Sequence, residues 1–172
     1  MEPATWGFIG TIVGTIVGAL ASIYTTYLNG KNTASIQNKS ETFKREELFR
    51  EFQRDNYLKL QEIIPKIIRL INLLLLEDKE NYQKTREWQK ASVNSENDNN
   101  LMNQLRELSI YTERVDNTDL REELKKIKTK AGKVLMTSSW SESDLIMSDL
   151  IKNDYDRIME NLGIELRKNY KN

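Results

Sequence analysis

From Thr5 to Leu28 the chain reads TWGFIGTIVGTIVGALASIYTTYL, a stretch with no charged side chain in an otherwise strongly polar sequence. About 20 predominantly apolar residues suffice for a helix to cross the ~30 Å hydrocarbon core of a bilayer. Lipid offers the backbone no partners, so such a segment must be one helix; its Ser and Thr hydroxyls can bond back to their own helix. Trp6 at one end and Tyr24 and Tyr27 at the other occupy the places where aromatic rings settle at headgroup level, with Lys31 just beyond as a further interface anchor. The expectation is a single N-terminal transmembrane helix within residues 1–28. A buried core helix of a soluble protein would rarely be so glycine-rich and charge-free. A cleaved signal peptide is the other alternative, since Ala19-Leu20-Ala21 before Ser22 has the small-x-small form of a processing site. Against it, Met1 to Thr5 carry Glu2 and no Lys or Arg. Lys31, Lys39, Lys44, Arg45, Arg50 and Arg54 follow the span, so the positive-inside rule puts the N-terminus outside and the C-terminal part in the cytoplasm.

Within the span Gly10, Gly14, Gly18 and Ser22 recur every four residues, and Thr11, Thr15 and Ala19 form a parallel row. Four-residue spacing places each row on one helix face, where small side chains allow a second backbone to approach. The pattern predicts a helix-packing seam of Gly10, Gly14, Gly18, Ser22, Thr11 and Thr15 that drives homo-oligomerisation.

Beyond the span, composition excludes much chemistry. Neither Cys nor His is present, which removes disulfides, thiol catalysis, the usual zinc sites and every Ser-His or Cys-His nucleophile. Lys+Arg 26 balances Asp+Glu 26, so no global basic field points to nucleic acid as the principal partner. No phosphate-binding glycine loop is present, and no cofactor is called for. Pro3 and Pro65 are the two prolines, and Leu, Ile, Lys, Glu, Asn and Gln dominate after Leu28, a helical vocabulary. The fold class expected is all-α: the single transmembrane helix, then a cytoplasmic antiparallel bundle of about four helices.

Residues 29–40, NGKNTASIQNKS, read as a juxtamembrane linker or weakly helical neck, with a turn at Asn29-Gly30. The bundle occupies residues 41–172. Its first helix, capped by Ser40 or Thr42, runs from about Glu41 towards Gln89 and is coiled-coil-like, with Phe49, Leu60, Ile63, Ile67, Leu70 and Leu74 as a seam widened by Ile64 and Ile71. Gln53 and Asn56 fall in the same register; polar residues there can fix register and oligomer state at some stability cost, but these two are expected to lie exposed. Pro65 is expected to kink or break this helix. Ser92 to Asn100 reads as a loop. Leu101 to Val115 forms the next helix, Asp119 with Glu122 caps a third, and Ser141 with Asp144 starts a fourth carrying Leu145, Ile151, Tyr155, Ile158, Leu162 and Leu166.

The paired acids Glu46-Glu47, Glu122-Glu123 and Asp154-Asp156 read as solvated surface, as does the cluster Lys125, Lys126, Lys128, Lys130 and Lys133. Trp88 and Trp140 near helix ends, with Lys125 and Lys126, are the candidate contacts for a partner. The function these features imply is non-enzymatic: a single-pass membrane protein whose cytoplasmic helices bind an unidentified protein partner, and whose span self-associates in the bilayer. A holin- or toxin-like pore-forming effector is the alternative, with Thr11, Thr15, Ser22, Thr25 and Thr26 lining a path; the span's lack of ionisable residues to set selectivity argues against it.

Overall fold

A computed structural model describes the backbone of residues 3–86 and 95–171 and the side chains of residues 7–86 and 96–170. Those residues are helical throughout apart from short connections, with no strand among them. Helix α1 spans Pro3–Thr85, α2 Ser95–Glu113 and α3 Thr118–Met136. The last rod runs as α4 over Trp140–Asp149, as a π-helix over Leu150–Tyr155 and as α5 over Asp156–Lys171. The chain divides into two units, residues 1–48 and 49–172.

In the first unit every described side chain is exposed. Residues 29–40, expected as a linker or neck with a turn, belong to α1, and Thr42 is an interior residue whose hydroxyl donates to the Asn38 carbonyl at 2.9 Å rather than an N-cap. Gly30 costs a helix about 1 kcal/mol against alanine. Neighbouring Ala34, Gln37 and Lys39 are good helix formers and no proline intervenes, so Asn29-Gly30 makes no turn.

The second unit is built on the heptad seam of α1. Gln53, Asn56, Tyr57, Leu60, Ile63, Ile64, Ile67, Ile71, Leu74 and Leu75 are buried, on the three- and four-residue steps of one helix face. Leu70 is partly buried against this core, whereas Phe49, at the edge of the unit, is exposed. Pro65 does not break the helix. Its ring removes one backbone hydrogen bond, but Ile64 and Ile67 on either side are fully buried and hold both flanks in the core.

Helix α2 begins at Ser95, so Ser95 to Asn100 are helical rather than loop; Ser92 to Asn94 lie outside the described residues. Its Leu101 and Leu108 meet the core, and the connection to α3 is only four residues long. The cap of α3 is Asn117 and not the expected Asp119: its side chain accepts from the Leu120 amide at 3.1 Å. Leu120, Leu124, Ile127, Ala131 and Val134 then line one face of α3, which packs against α2, α4, the π segment and α5. Short connections on both sides of α3 make it antiparallel to its neighbours. Ser139, rather than Ser141, caps α4 by accepting from the Glu142 amide at 3.4 Å. Glu142 stands at the third helical position, the arrangement of a capping box two residues earlier than read from the sequence.

The last rod departs most from expectation. Leu145 is 71% exposed and Ile151 is also exposed, whereas Ser143, Met147, Leu150 and Asp154 are buried ahead of Ile158, Leu162 and Leu166. Extrapolating back from Ile158 at 3.6 residues per turn brings Ile151 inward. The π segment adds about one residue to its turn, so the buried face moves back to Leu150.

Candidate functional site

Two regions carry the residues singled out from the sequence, one in each unit. In the first, successive residues of an α-helix are about 100° apart. By that rule Gly7, Gly10, Gly14, Gly18, Ala21, Ser22, Thr11, Thr15, Thr25 and Thr26 all fall within one half of the helix circumference. Ile9, Ile12, Val13, Ile16, Val17, Leu20, Ile23, Tyr24 and Tyr27 fall in the other. All of these side chains are exposed. A Cβ built on Gly10, Gly14 or Gly18 meets nothing within 4 Å, so no contact within the chain requires glycine there.

The threonine hydroxyls of this small-residue face are already satisfied. Thr11 donates to the Gly7 carbonyl at 3.0 Å, Thr15 to Thr11 at 2.8 Å, Thr25 to Ala21 at 2.9 Å and Thr26 to Ser22 at 2.8 Å. Each bond closes one helical turn, so these threonines present carbon and paired oxygen rather than free donors. Lys31 is exposed one turn beyond Tyr27; the Trp6 side chain lies outside the described residues. The helix is the one segment among the described residues long and apolar enough to cross a membrane, and none of its apolar window is buried.

In the second unit, two of the lysines expected as one solvated cluster, Lys125 and Lys130, take separate partners, while Lys126, Lys128 and Lys133 are exposed. Lys125 pairs with Glu122 at 3.0 Å and Glu113 at 3.4 Å, and those carboxylates raise its pKa. Lys130 instead reaches two carboxylates of the last rod, Asp149 and Asp154. Asp154 is 5% exposed, which overturns its reading as surface, and it also takes Arg157 at 3.0 Å. Arg157 in turn holds Glu123 at 3.2 Å, and Glu123 accepts from Asn161 at 2.9 Å. The hydrogen bonds that Lys130 donates to Asp149 and then to Asp154 hold its pKa above its ordinary value. Lys130, then Asn153, holds the Asp149 carboxyl below its own. A charge this deeply buried persists only when paired and hydrogen-bonded.

Beside this network a groove of about 800 Å³ opens between the end of α3 and α4, with Lys133, Met136 and Leu145 on its rim. Trp140 is half-buried against the core, and the Lys79 ammonium sits 4.9 Å from its ring centroid, tying the end of α1 to the start of α4. Trp88 lies outside the described residues. No group of three or more acidic residues converges as metal ligands among the described residues.

The sequence reading also placed Gln53 and Asn56 in solvent, and both are buried. Gln53 donates to the Arg114 carbonyl at 2.9 Å and accepts from the Asp116 amide at 3.4 Å; Asn56 donates to the Tyr111 carbonyl at 3.1 Å. Their heptad positions were the available signal, and the carbonyls of Tyr111 and Arg114, where α2 ends and the corner to α3 begins, supply the reason.

Comparison with known proteins finds no family model, no curated protein and no solved structure that matches this chain.

Proposed function

We propose that the chain is a non-enzymatic single-pass membrane protein, anchored by the helix around residues 5–28, whose helical domain faces the cytoplasm and binds a protein partner while the span associates with copies of itself. The observation that carries this reading is a charge-free helix whose large apolar side chains are uncovered. Phe8, Ile9, Ile12, Val13, Ile16, Val17, Leu20 and Ile23 are all exposed. Removing each from water is worth about 1.5–3 kcal/mol, so the set favours an apolar surrounding by on the order of 10–20 kcal/mol. Soluble monomers do not leave a continuous patch of this size in solvent.

The orientation rests on Lys31, Lys39, Lys44 and Arg45 in the flank that follows the span. Self-association rests on the small-residue half, whose glycines leave open space for a second backbone. Tethering in the bilayer raises the local concentration of the domains, so weak contacts between them add to those of the span.

The test reconstitutes the full-length protein in liposomes and in mild detergent. The protein should resist carbonate extraction, leave trapped dye sealed, and scatter light as a defined oligomer that Gly14→Ile disperses. Since a side chain at Gly14 meets nothing in its own chain, dispersal reports on contact between copies. Extraction by carbonate would remove the anchor, dye leakage would favour a pore, and an unchanged oligomer in Gly14→Ile would remove the seam.

A further inference from the structure

Asp149 and Asp154, the two carboxylates that Lys130 holds, are five residues apart: Asp149 immediately precedes the π segment Leu150–Tyr155 and Asp154 lies within it. In an α-helix, residues five apart point about 140° away from each other, too far round for one ammonium to grip both. A π turn closes its hydrogen bonds at five residues instead of four and brings such a pair to one side. The double contact of Lys130 therefore fits the π register and not the α register.

Apolar burial does not choose between the registers. The π form buries Met147 and Leu150 together with Ser143 and Asp154. At about 100° per residue, an unbroken α-helix would turn Trp140–Asp149 relative to Asp156–Lys171 and bring Ile151 and Asp144 to the inner face, with Met147 still near it and Tyr155 keeping the partial burial it already has. Ile151 replaces Leu150, and the carboxylate of Asp144, exposed in the π form, replaces that of Asp154. What the α form loses is the common partner of the two carboxylates.

From this juxtaposition we infer that Lys130 is a register lock: by bridging Asp149 and Asp154 it holds the last rod in its π form and so sets which face α4 presents. Arg157 and Glu123 secure the far end, since Arg157 binds Asp154 at 3.0 Å and Glu123 at 3.2 Å. The consequence lies in the groove between α3 and α4. Glu142, Leu145, Ile146 and Asp149 form its α4 wall, and release of Lys130 turns that wall by about one residue, or 100°.

The chain has no cysteine, so two introduced ones can be spin-labelled cleanly. Lys128→Cys on α3 and Leu145→Cys on α4, both at exposed positions, report the orientation of α4 in the full chain in detergent. Side chains reach about 5–6 Å from a helix axis, so a turn of one residue displaces the Leu145 label by on the order of 8 Å. Lys130→Met keeps the stem and removes the ammonium, Lys130→Arg restores a charged fork, and Lys130→Met with Asp154→Leu also removes the stranded buried charge. Pulsed-EPR distances in Lys130→Arg should match the parent, while Lys130→Met and the double variant, still helical by circular dichroism, should show the displaced distance. If Lys130→Met alone unfolds, a displaced distance in the double variant still supports the lock. A parental distance in the folded double variant overturns it, leaving side-chain packing as the cause of the π turn. Unfolding of both variants while Lys130→Arg folds also counts against it, because a register lock leaves the rest of the bundle standing.

Discussion

Gln53 on α1 donates its amide to the backbone carbonyl of Arg114, at the end of α2, over 2.9 Å. Its oxygen accepts from the Asp116 amide, so one side chain serves both strands of the corner between α2 and α3. Gln53→Leu leaves a carbonyl and an amide without partners in a part-buried site and should destabilise the domain by about 1–3 kcal/mol. Asn56→Leu should cost less, because Asn56 makes one bond, to the Tyr111 carbonyl, and its own oxygen is already buried without a partner. Denaturant unfolding of the full-length protein in detergent compares the two; an equal or larger loss for Asn56→Leu contradicts the assignment.

Asn117 holds two roles at the next corner. It caps α3 through the Leu120 amide and donates to Glu165 on α5 at 3.0 Å. Asn117→Ala should cost about 1–2 kcal/mol, at the upper end for a cap because the second bond is lost as well. Asn117→Asp keeps the cap but sets a carboxylate against Glu165, so its stability at neutral pH should fall below that of the parent and recover as pH is lowered through the carboxylate range. Thermal melts at pH 7 and pH 4, taken as differences from the parent, check the sign.

Tyr57 is buried, and its phenol pKa is raised to about 12, first by burial and then by the charges of Glu165 and Asp116. The folded state thus holds this proton more tightly than the unfolded chain, whose tyrosine titrates near 10. The contribution is intact below about pH 10 and is lost as pH rises towards 12, by up to about 2 kcal/mol. Tyr57→Phe should therefore show a shallower fall of stability between those pH values than the parent, in the same unfolding assay.

Gly132 sits inside α3 with nothing within 4 Å of the position a Cβ would take. Gly132→Ala should stabilise the domain by about 0.5–1 kcal/mol through reduced backbone entropy of the unfolded chain. Ile127→Ala, five residues earlier on the fully buried face of the same helix, should cost about 2–5 kcal/mol. Opposite signs in one helix separate propensity from packing; a destabilising Gly132→Ala would mean a neighbour occupies that space.

The helical class and the core were legible because apolar residues recur at helical spacing. Leu60, Ile63, Ile67, Leu124 and Ile127 were readable as core in this way and are buried. Helix starts were less legible. Asn117 and Ser139 lie two residues before the caps chosen from sequence, where several Ser, Asn and Asp compete and local chemistry does not rank them.

What the sequence by itself determined was periodicity: a charge-free, two-faced helix near the N-terminus, a heptad seam centred on Ile63 and Ile67, and the absence of Cys and His with the chemistry they would bring. What only the tertiary structure decided was the fate of polar groups at that seam and the phase of the last rod. Gln53 and Asn56 became interior because carbonyls at the end of α2 reach them, and Asp154 because Lys130 and Arg157 do. Those partners lie 55 or more residues away for Gln53 and Asn56, and on another helix for Lys130. Burial of a polar side chain turns on whether a partner stands opposite it, and a helical period carries no information about what stands opposite.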